Sequence, residues 1–288
     1  DYNIISPNKP KYADVSERRQ QTYEGGLVFE PKPGLYFNVV IFDFRSLYPT
    51  IIASHNISLD TLNCDCCESK DIPPDEKFGF CKKKKGFIPS IIEDLIERRS
   101  RVKEIIKKKG ETPLLYARQM SLKLFANSFY GYLGFYGARW YSIECARSVT
   151  SYGRYYIKKV IADAISHGFH VIYSDTDSIF LTLDKKTKKD ALDFVNLQNE
   201  SLPGVMELEY EGFYPSAIFV SAKQGDAGAK AAPAGIRPRA HTRGSRRRDE
   251  SPGRARAANH EDGAAAHLAP VARRRRRRHV VRRFHRGQ

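Results

Sequence analysis

The chain has 288 residues, of which 41% are hydrophobic, enough for one large domain or two smaller ones with a buried core. Its formal net charge is +16, and it contains no run of 18 apolar residues, which excludes a membrane-spanning helix. Because it begins with Asp1 and lacks a charged and then apolar leader, we expect a fragment or an internal product of a longer protein.

Most of the positive charge lies at the end of the chain. Residues 224–288 contain 17 Arg and one Lys against five acidic residues, so this tail carries +13 and residues 1–223 carry only +3. Such a composition cannot bury enough apolar surface to fold. The tail is therefore either a disordered basic arm that binds nucleic acid or the product of a reading-frame shift near residue 224. The abrupt change from Lys to Arg favours the frame shift.

The first part of the chain combines an apolar strand with a polar loop. The segment "YFNVVIFDFRSLYPTII" begins as a strand and then meets Asp43, and residues 60–85 are expected to form a loop with short elements. The loop contains four of the five cysteines, which are Cys64, Cys66, Cys67 and Cys81. Their spacing allows a disulfide or a metal site but lacks a pair of C-x-x-C knuckles, and free thiols are an equal alternative.

Two consecutive helices are predicted next. The segment "FIPSIIEDLIERRSRVKEIIKKKG" has an apolar stripe at helical spacing, with Pro89 in its first turn and Gly110 at its end. Thr112 and Pro113 are a typical N-cap and first residue for a second helix, "LLYARQMSLKLFANSFYGYLG". Because the connection between these helices of about 18 residues is short, they must lie antiparallel as a projecting hairpin.

The remaining elements complete a mixed fold. A helix is expected around residues 144–167, then a β-hairpin in "VIYSDTDSIFLTL", a shorter helix after Lys188, and an alternating strand in "GVMELEYEGFYPSAIFVSA". The predicted fold class is α+β. An antiparallel sheet carries acidic positions on separated strands, and the helical hairpin is inserted between them.

Three acidic residues are placed at strand ends. Asp43 ends one apolar strand, and Asp175 and Asp177 lie in the hairpin turn, where two carboxylates about 5 to 7 Å apart repel each other by about 2 to 3 kcal/mol. If the strands pair, three carboxylates converge and favour divalent cations such as Mg²⁺ or Mn²⁺. Two such ions assist phosphoryl transfer. For the turn alone, a solvated D-x-D sequence is the alternative.

The helical hairpin supplies complementary charge. Arg99 and Lys103 are i and i+4 on its first helix, and Lys123, Asn127 and Tyr130 share one face of its second helix. Cations that face a two-metal site suit a triphosphate. The other basic residues of the first helix are expected on a solvated face; they are Arg98, Arg101, Lys107 and Lys108.

Three segments resemble the polymerase motifs of family B DNA polymerases in order and spacing. They are "DFRSLYPTII" (43–52), "KLFANSFYG" (123–131) and "YSDTDS" (173–178). The upstream "YEGG" (23–26) is similar to the family's loop between its exonuclease and polymerase modules, while "GFIPSIIEDLIERR" and "ARWYSIECARSVTSYGR" resemble archaeal members in particular. The resemblance covers about residues 8–223. It implies a polymerase palm in residues 1–86 and 135–223 and a fingers hairpin in residues 87–134, followed by the tail of residues 224–288.

The resemblance also implies roles for individual residues. Asp43 and Asp177 would ligate two Mg²⁺ ions, which Mn²⁺ can replace, with Asp175 auxiliary and the Phe44 carbonyl a further ligand. The residues that would contact the incoming dNTP and the nascent base pair are Phe44, Leu47, Tyr48, Arg99, Lys103, Lys123, Asn127 and Tyr130. Tyr48 would stack under the sugar and leave no room for a 2′-hydroxyl, unless it is only a core aromatic residue.

Lys123 would also donate a proton to pyrophosphate. Tyr23, Gly25 and Gly26 would lie against DNA, although a plain turn explains the two glycines nearly as well. Cys67 and Cys81 fall where some heat-adapted archaeal relatives carry a disulfide. The cysteine spacing by itself still leaves a disulfide, a metal site and free thiols as alternatives.

The resemblance stops before the parts of the family that grip DNA. After "ELEYEGFYPSAIFVSAK" the family continues into a lysine-x-tyrosine motif and a thumb, whereas here "QGDAGAKAAPAG" follows. The family's exonuclease and amino-terminal module are also absent from the sequence. We therefore expect a cytoplasmic, nucleoid-associated DNA polymerase fragment that adds dNTPs to a primer on template DNA, with weak processivity and no proofreading by itself.

A companion polypeptide that supplies the thumb or exonuclease, and a sliding clamp, are further expected partners. The alternative function is a nucleic-acid-binding remnant or subunit without catalytic activity. A metal nuclease that uses the same acids is disfavoured, because a nuclease has no use for a helix that faces a triphosphate.

Overall fold

The computed structural model describes most of the part of the chain that resembles a polymerase. The described residues are 4–221 and the two-residue strand 228–229. Apart from that strand, the prediction for the tail of residues 224–288 lies outside the described residues. None of the helices in these ranges combines the length and the apolar character that a membrane crossing requires.

The centre of the fold is one antiparallel sheet of six strands in the order β1-β3-β4-β2-β5-β6. The strands are β1 Val28–Phe29, β2 Gly34–Phe44, β3 His170–Asp175, β4 Ser178–Thr182, β5 Leu208–Ser221 and β6 Gly228–Ala229. Because β2 lies between β4 and β5, the residues at its end have neighbours on both sides. The predicted α+β class with an antiparallel sheet is confirmed.

The described residues also form six helices. They are α1 Tyr12–Arg18, α2 Leu47–Ser54, α3 Phe87–Lys109, α4 Pro113–Leu133, α5 Ile143–Ser166 and α6 Lys188–Ser201. Helices α5 and α6 pack on the sheet, while α3 and α4 pack on each other. Gly110 follows α3 with φ 85°, a backbone conformation that suits glycine, and the Thr112 hydroxyl accepts a hydrogen bond from the Leu115 N–H as the N-cap of α4. Helices α3 and α4 have 23 and 21 residues, longer than the expected 18 or so. The sequence patterns did not indicate α1, α2, β1 or β6, the last of which lies within the segment that was expected not to fold.

The main core lies on one face of the sheet. Phe42 and Phe44 of β2 are fully buried and pack with Ile51 of α2 and Val149 of α5, because alternate residues of a strand point to the same face. A smaller cluster that contains Val39 occupies the other face. Apolar clusters on both faces of the sheet thus hold β2 in place and position Asp43 near its end.

A polar network joins the cysteine-containing loop to the core. The two ring nitrogens of His55 lie 2.7 Å from an Asp71 carboxylate oxygen and 2.8 Å from the Tyr156 hydroxyl, while the Tyr152 hydroxyl donates to Asp71 at 2.8 Å. Phe80, fully buried, pairs with Asp71 through an antiparallel bridge. The loop of residues 60–85 is therefore a packed part of the domain.

Candidate active site

The three predicted acidic residues lie next to one another where β2 and β3 end and β4 begins. Asp43 lies opposite Ser178 in the β2–β4 register, and the Phe44 N–H donates a hydrogen bond of 2.8 Å to the Asp177 carbonyl. The Asp177 N–H in turn donates to the Asp175 carbonyl at 2.6 Å. Opposed residues in an antiparallel pair have Cα atoms about 4.5 to 5.5 Å apart. The pairing that the acidic cluster required is therefore present.

The turn between β3 and β4 is fixed by the segment that precedes β1. Thr176 has φ 58°, and its N–H donates a hydrogen bond to the Leu27 carbonyl at 2.9 Å. Its hydroxyl donates to an Asp175 carboxylate oxygen at 3.2 Å. A Cβ atom on Gly26 would lie only 2.8 Å from the Thr176 hydroxyl oxygen and 3.2 Å from that of Tyr48. Glycine at position 26 therefore permits a close approach of the chain to the acidic turn.

Tyr48 packs among aromatic and glycine neighbours beside this turn. Its ring centroid lies 4.4 Å from that of Tyr130 at an angle of 46°, and the Tyr23 hydroxyl donates to the Tyr130 hydroxyl at 3.2 Å. On the α5 side, a Cβ on Gly153 would lie 3.3 Å from a Tyr48 ring carbon. The adjacent Leu47 differs, since its side chain is 2% exposed and belongs to the core. The structure thus brings Tyr23, Tyr48 and Tyr130 together and places the Leu47 side chain in the core.

Gly25 makes no comparable contact. A Cβ at that position would have no atom within 4 Å. Its carbonyl accepts a hydrogen bond from the Arg154 guanidinium at 2.8 Å, and the neighbouring Glu24 carbonyl accepts one from the Thr150 hydroxyl at 2.8 Å. Helix α5 therefore holds the "YEGG" segment in place through its backbone.

A basic cavity of about 530 Å³ opens between the end of β2 and helices α3 and α4. The cationic residues that line it are Arg45, Arg99, Lys103, Lys107 and Lys123. One carboxylate, Glu104, lines it as well. The predicted cations of the two helices do converge on one space, and their excess over the single acid suits an anionic ligand.

Arg45, which the sequence analysis did not single out, organises one wall of this cavity. Its Nε donates to Glu209 at 2.7 Å, and its guanidinium also contacts Glu207. The Lys103 ammonium lies 4.0 Å from the same Glu209 carboxylate. Burial, together with the nearby Arg45 and Arg99, lowers the pKa of Lys103, and Glu209 only partly opposes this.

Ser46 connects the strand end to α3. It has φ 50° and its hydroxyl accepts a hydrogen bond from the Arg99 guanidinium at 3.2 Å. The Asn127 side-chain oxygen on α4 is buried and has no hydrogen-bond partner among the described residues. A buried acceptor without a donor is unfavourable by about 1 to 3 kcal/mol, so Asn127 is suited to a donor that arrives with a ligand.

Lys107 was predicted to lie on a solvated face and its side chain is exposed, but it also borders the cavity. Lys107 lies one helical turn beyond Lys103 and lines the cavity, a position that the i, i+4 spacing could have indicated. Arg98 and Arg101 do lie on the exposed side, where each forms an ion pair one turn back along α3, with Asp94 and Glu97. No short-range pattern indicated Arg45 or its acidic partners, because these partners lie more than 160 residues away.

The predicted disulfide partners are close to each other as thiols. The sulfur atoms of Cys67 and Cys81 lie 3.4 Å apart, and both cysteines are free. The disulfide stays a prediction.

Comparison with known proteins gives the family. The model of DNA polymerase family B matches residues 1–232. The chain is similar to DNA polymerase 1 of Pyrococcus abyssi, with 46% identity over 229 residues, and to a DNA polymerase of Thermococcus gorgonarius, with 48% identity over 230 residues. Each alignment covers 77% of this chain and 30% of the relative.

Among solved structures, the chain is similar to the family B DNA polymerase of the hyperthermophilic archaeon Pyrobaculum calidifontis. The TM-score is 0.59 at 37% identity, over 76% of this chain and 28% of that one. This chain thus spans about a third of the length of its relatives. On the family match and these identities, the chain belongs to DNA polymerase family B.

Proposed function

We propose that this chain carries the catalytic centre for DNA-templated addition of dNTPs to a primer 3′ end, with release of pyrophosphate. The observation that carries this proposal is the position of Asp43. It lies beside the turn of Asp177 on one side and opposite Glu209 on the other, and Glu209 contacts two cations of the basic cavity, Arg45 and Lys103. Acidic and triphosphate-binding groups are therefore adjacent.

The acidic cluster has the donor set for hard divalent cations. The carboxylates of Asp43, Asp175 and Asp177 and the carbonyl of Phe44 are oxygen donors, which Mg²⁺ prefers, and the three acidic residues are half-buried and so still accessible. These groups would hold two Mg²⁺ ions, which Mn²⁺ can replace. Such a pair, when bound, would favour ionisation of the primer 3′-hydroxyl and stabilise charge on the departing pyrophosphate.

The basic cavity would hold the triphosphate. Arg99, Lys103 and Lys123 approach it from two helices, so that a phosphate chain is contacted from both sides. Lys123 would donate the proton that pyrophosphate takes up on leaving. Arg45 would act indirectly, because its ion pairs with Glu207 and Glu209 position the carboxylate nearest Lys103.

The aromatic residues would select the nucleotide. Tyr48 is held between Tyr130 and α5, so its ring has little freedom to move away from a sugar that carries a 2′-hydroxyl. Asn127 and Tyr130 would border the nascent base pair, while Tyr23, Gly25 and Gly26 would lie against the template.

In domain terms, we propose that residues 1–86 and 135–223 form a palm and that residues 87–134 form a fingers hairpin. The relatives contain about 70% of their length outside the region that this chain matches. A thumb and an exonuclease supplied by a companion polypeptide, together with a sliding clamp, would complete DNA grip and proofreading. Primer–template DNA and a dNTP are the proposed substrates.

Primer extension with Mg²⁺ tests the proposal. The chain, with and without an added thumb from a relative, is compared with variants Asp177→Ala and Lys123→Ala. Loss of Lys123 should slow extension by about 10²- to 10³-fold, as for other groups that stabilise developing charge, and loss of Asp177 by more. Lys108→Ala is the matched control, because Lys108 is an exposed lysine of α3 outside the cavity lining, and it should leave the rate unchanged.

Two outcomes would reject the proposal. One is extension by Asp177→Ala at the rate of the unchanged chain. The other is DNA binding without extension in every version, including the one with a thumb, which would instead identify a nucleic-acid-binding remnant.

A further inference from the structure

Four cysteine sulfurs converge at one point of the loop formed by residues 60–85, away from the acidic cluster. The sulfur atoms belong to Cys64, Cys66, Cys67 and Cys81, and all of them lie within 4.8 Å of one another. The individual separations are 3.3 Å for Cys66 and Cys81, 3.4 Å for Cys67 and Cys81, and 3.8 Å for Cys66 and Cys67. The family resemblance implies a disulfide between two of these cysteines, Cys67 and Cys81, but no role for the four as a set.

These separations have the size that a tetrahedral metal site requires. Four thiolates at about 2.3 Å from a zinc ion form a tetrahedron whose edges are about 3.8 Å long. The separations among Cys66, Cys67 and Cys81 are at or slightly below that value, and the Cys64 sulfur lies within 4.8 Å of the other three. A disulfide needs one pair of sulfur atoms at about 2.05 Å, and it would leave the other two cysteines gathered around it without a partner.

We propose that Cys64, Cys66, Cys67 and Cys81 bind one Zn²⁺ ion as a four-thiolate structural site. Thiolate donors in a tetrahedral set select a soft or borderline ion such as Zn²⁺ over the Mg²⁺ that oxygen ligands prefer. The site therefore differs in chemistry from the acidic cluster. A closed set of four protein ligands leaves no position for substrate, so its role is structural.

The backbone around the cysteines is already arranged for such a site. The Lys84 N–H donates a hydrogen bond to the Cys81 sulfur at 3.2 Å, a contact that stabilises negative charge on the ligand. The Cys81 N–H donates to the Thr61 carbonyl at 2.9 Å, and the Asn63 N–H donates to the Gly79 carbonyl at 2.8 Å. Both arms of the loop are thus held together next to the first and last ligands.

Exposure of the ligands is consistent with entry of an ion from solvent. Cys67 and Cys81 are buried, Cys64 is half-buried and Cys66 is exposed. Cys64, Cys66 and Cys67 are close together in sequence, whereas Cys81 lies on the other arm of the loop. A bound ion would therefore connect the two arms. Since Asp71 of this loop contacts His55, the site would also stabilise the network that connects the loop to α2 and α5.

The test uses the full chain, purified with a thiol reductant and then freed of excess zinc. Metal analysis should give one zinc per chain, and Co²⁺ in its place should show the intense visible absorption of a tetrahedral thiolate complex. Cys64→Ser and Cys66→Ser should each weaken zinc binding at least about tenfold, because metal affinity depends on every ligand. The control is Cys145→Ala, which removes a fully buried free cysteine of α5 outside the cluster and should leave zinc binding unchanged.

A second measurement separates lost binding from lost folding. Cys66 is exposed, so its replacement should leave the circular dichroism spectrum intact, whereas chelation of zinc from the unchanged chain should speed amide hydrogen exchange at Asn63 and Cys81. The proposal is overturned if the reduced chain binds no zinc, or if Cys66→Ser binds it as tightly as the unchanged chain. It is equally overturned if the denatured, metal-free chain lacks two titratable thiols after the reductant has been removed without exposure to air, which would show a disulfide in the cluster instead.

Discussion

Replacing Gly26 with alanine should disturb the acidic turn without removing any of its residues. The new methyl group would lie 2.8 Å from the hydroxyl oxygen and 3.1 Å from the methyl carbon of Thr176, and 3.2 Å from the Tyr48 hydroxyl. Contacts below 3.0 Å do not persist, so an atom must shift. Thr176 is poorly able to yield, because its N–H is bonded to Leu27 and its hydroxyl to Asp175.

The magnitude follows from these contacts. Adding a methyl group to a packed site is unfavourable by about 1 to 3 kcal/mol, which corresponds to a fall in melting temperature of about 2 to 4 °C per kcal/mol for a domain of this size. If Thr176 moves, the hydrogen bond to Asp175 changes as well. A displacement of about 1 Å near a reacting centre can slow a reaction by about 10²-fold, so primer extension should fall more than stability alone explains.

The neighbouring glycine provides the control. A methyl group on Gly25 would meet no atom within 4 Å, so Gly25→Ala should change the free energy of unfolding by no more than about 0.5 kcal/mol. Both variants are compared by urea unfolding and by primer extension. Equal stability of the two variants in urea unfolding would refute the packing argument, whether or not the chain extends a primer.

Three further predictions concern separate parts of the structure. Because burial lowers the pKa of Lys103 below its ordinary value of 10.5, triphosphate binding should weaken as the pH rises through the lowered value, and Lys103→Arg should retain binding there, as calorimetry can show. Burial opposes ionisation of Asp71, but bonds from His55 and Tyr152 outweigh it and lower the pKa of that carboxyl. The Asp71 carboxylate therefore stabilises the fold above its unfolded pKa of about 3.9, and this stabilisation is lost as the pH falls through the lowered pKa of the folded state. In urea unfolding measured at several pH values, Asp71→Asn should remove this dependence. Thr112→Ala should lower the free energy of unfolding by about 1 kcal/mol through loss of the α4 N-cap, whereas Thr112→Ser should retain most of it; equal losses would contradict the capping role.

Features that depend on neighbouring residues could be read from the sequence. The ends of α3 and α4 are set by Gly110, Thr112 and Pro113, whose conformational preferences act within one helical turn. Arg99, Lys103 and Lys123 of the cavity were found through helical spacing, whereas Lys107 was assigned only to the solvated face. The acidic positions were visible because a carboxylate at the end of an apolar strand contrasts with its surroundings.

Features that depend on distant contacts could not be read in this way. Arg45 is positioned by Glu207 and Glu209, which reach it only because β5 pairs with β2. Helix α2 begins three residues after β2 ends, with Ser46 in a left-handed conformation that no nearby glycine signals. The convergence of four sulfur atoms likewise requires the two arms of the loop to meet, whereas spacing alone left a disulfide, a metal site and free thiols equally open.

The hydrogen bond from Thr176 to Leu27 sets a lower limit on how far the molecule can be shortened. A left-handed threonine is unfavourable by about 1 to 2 kcal/mol unless its surroundings hold it. A version that starts after residue 30 would keep every acidic and basic group of the candidate centre, yet the loop between β3 and β4 would be free to relax. Trimming from the amino end would therefore disturb the proposed catalytic turn through the loss of a single carbonyl oxygen.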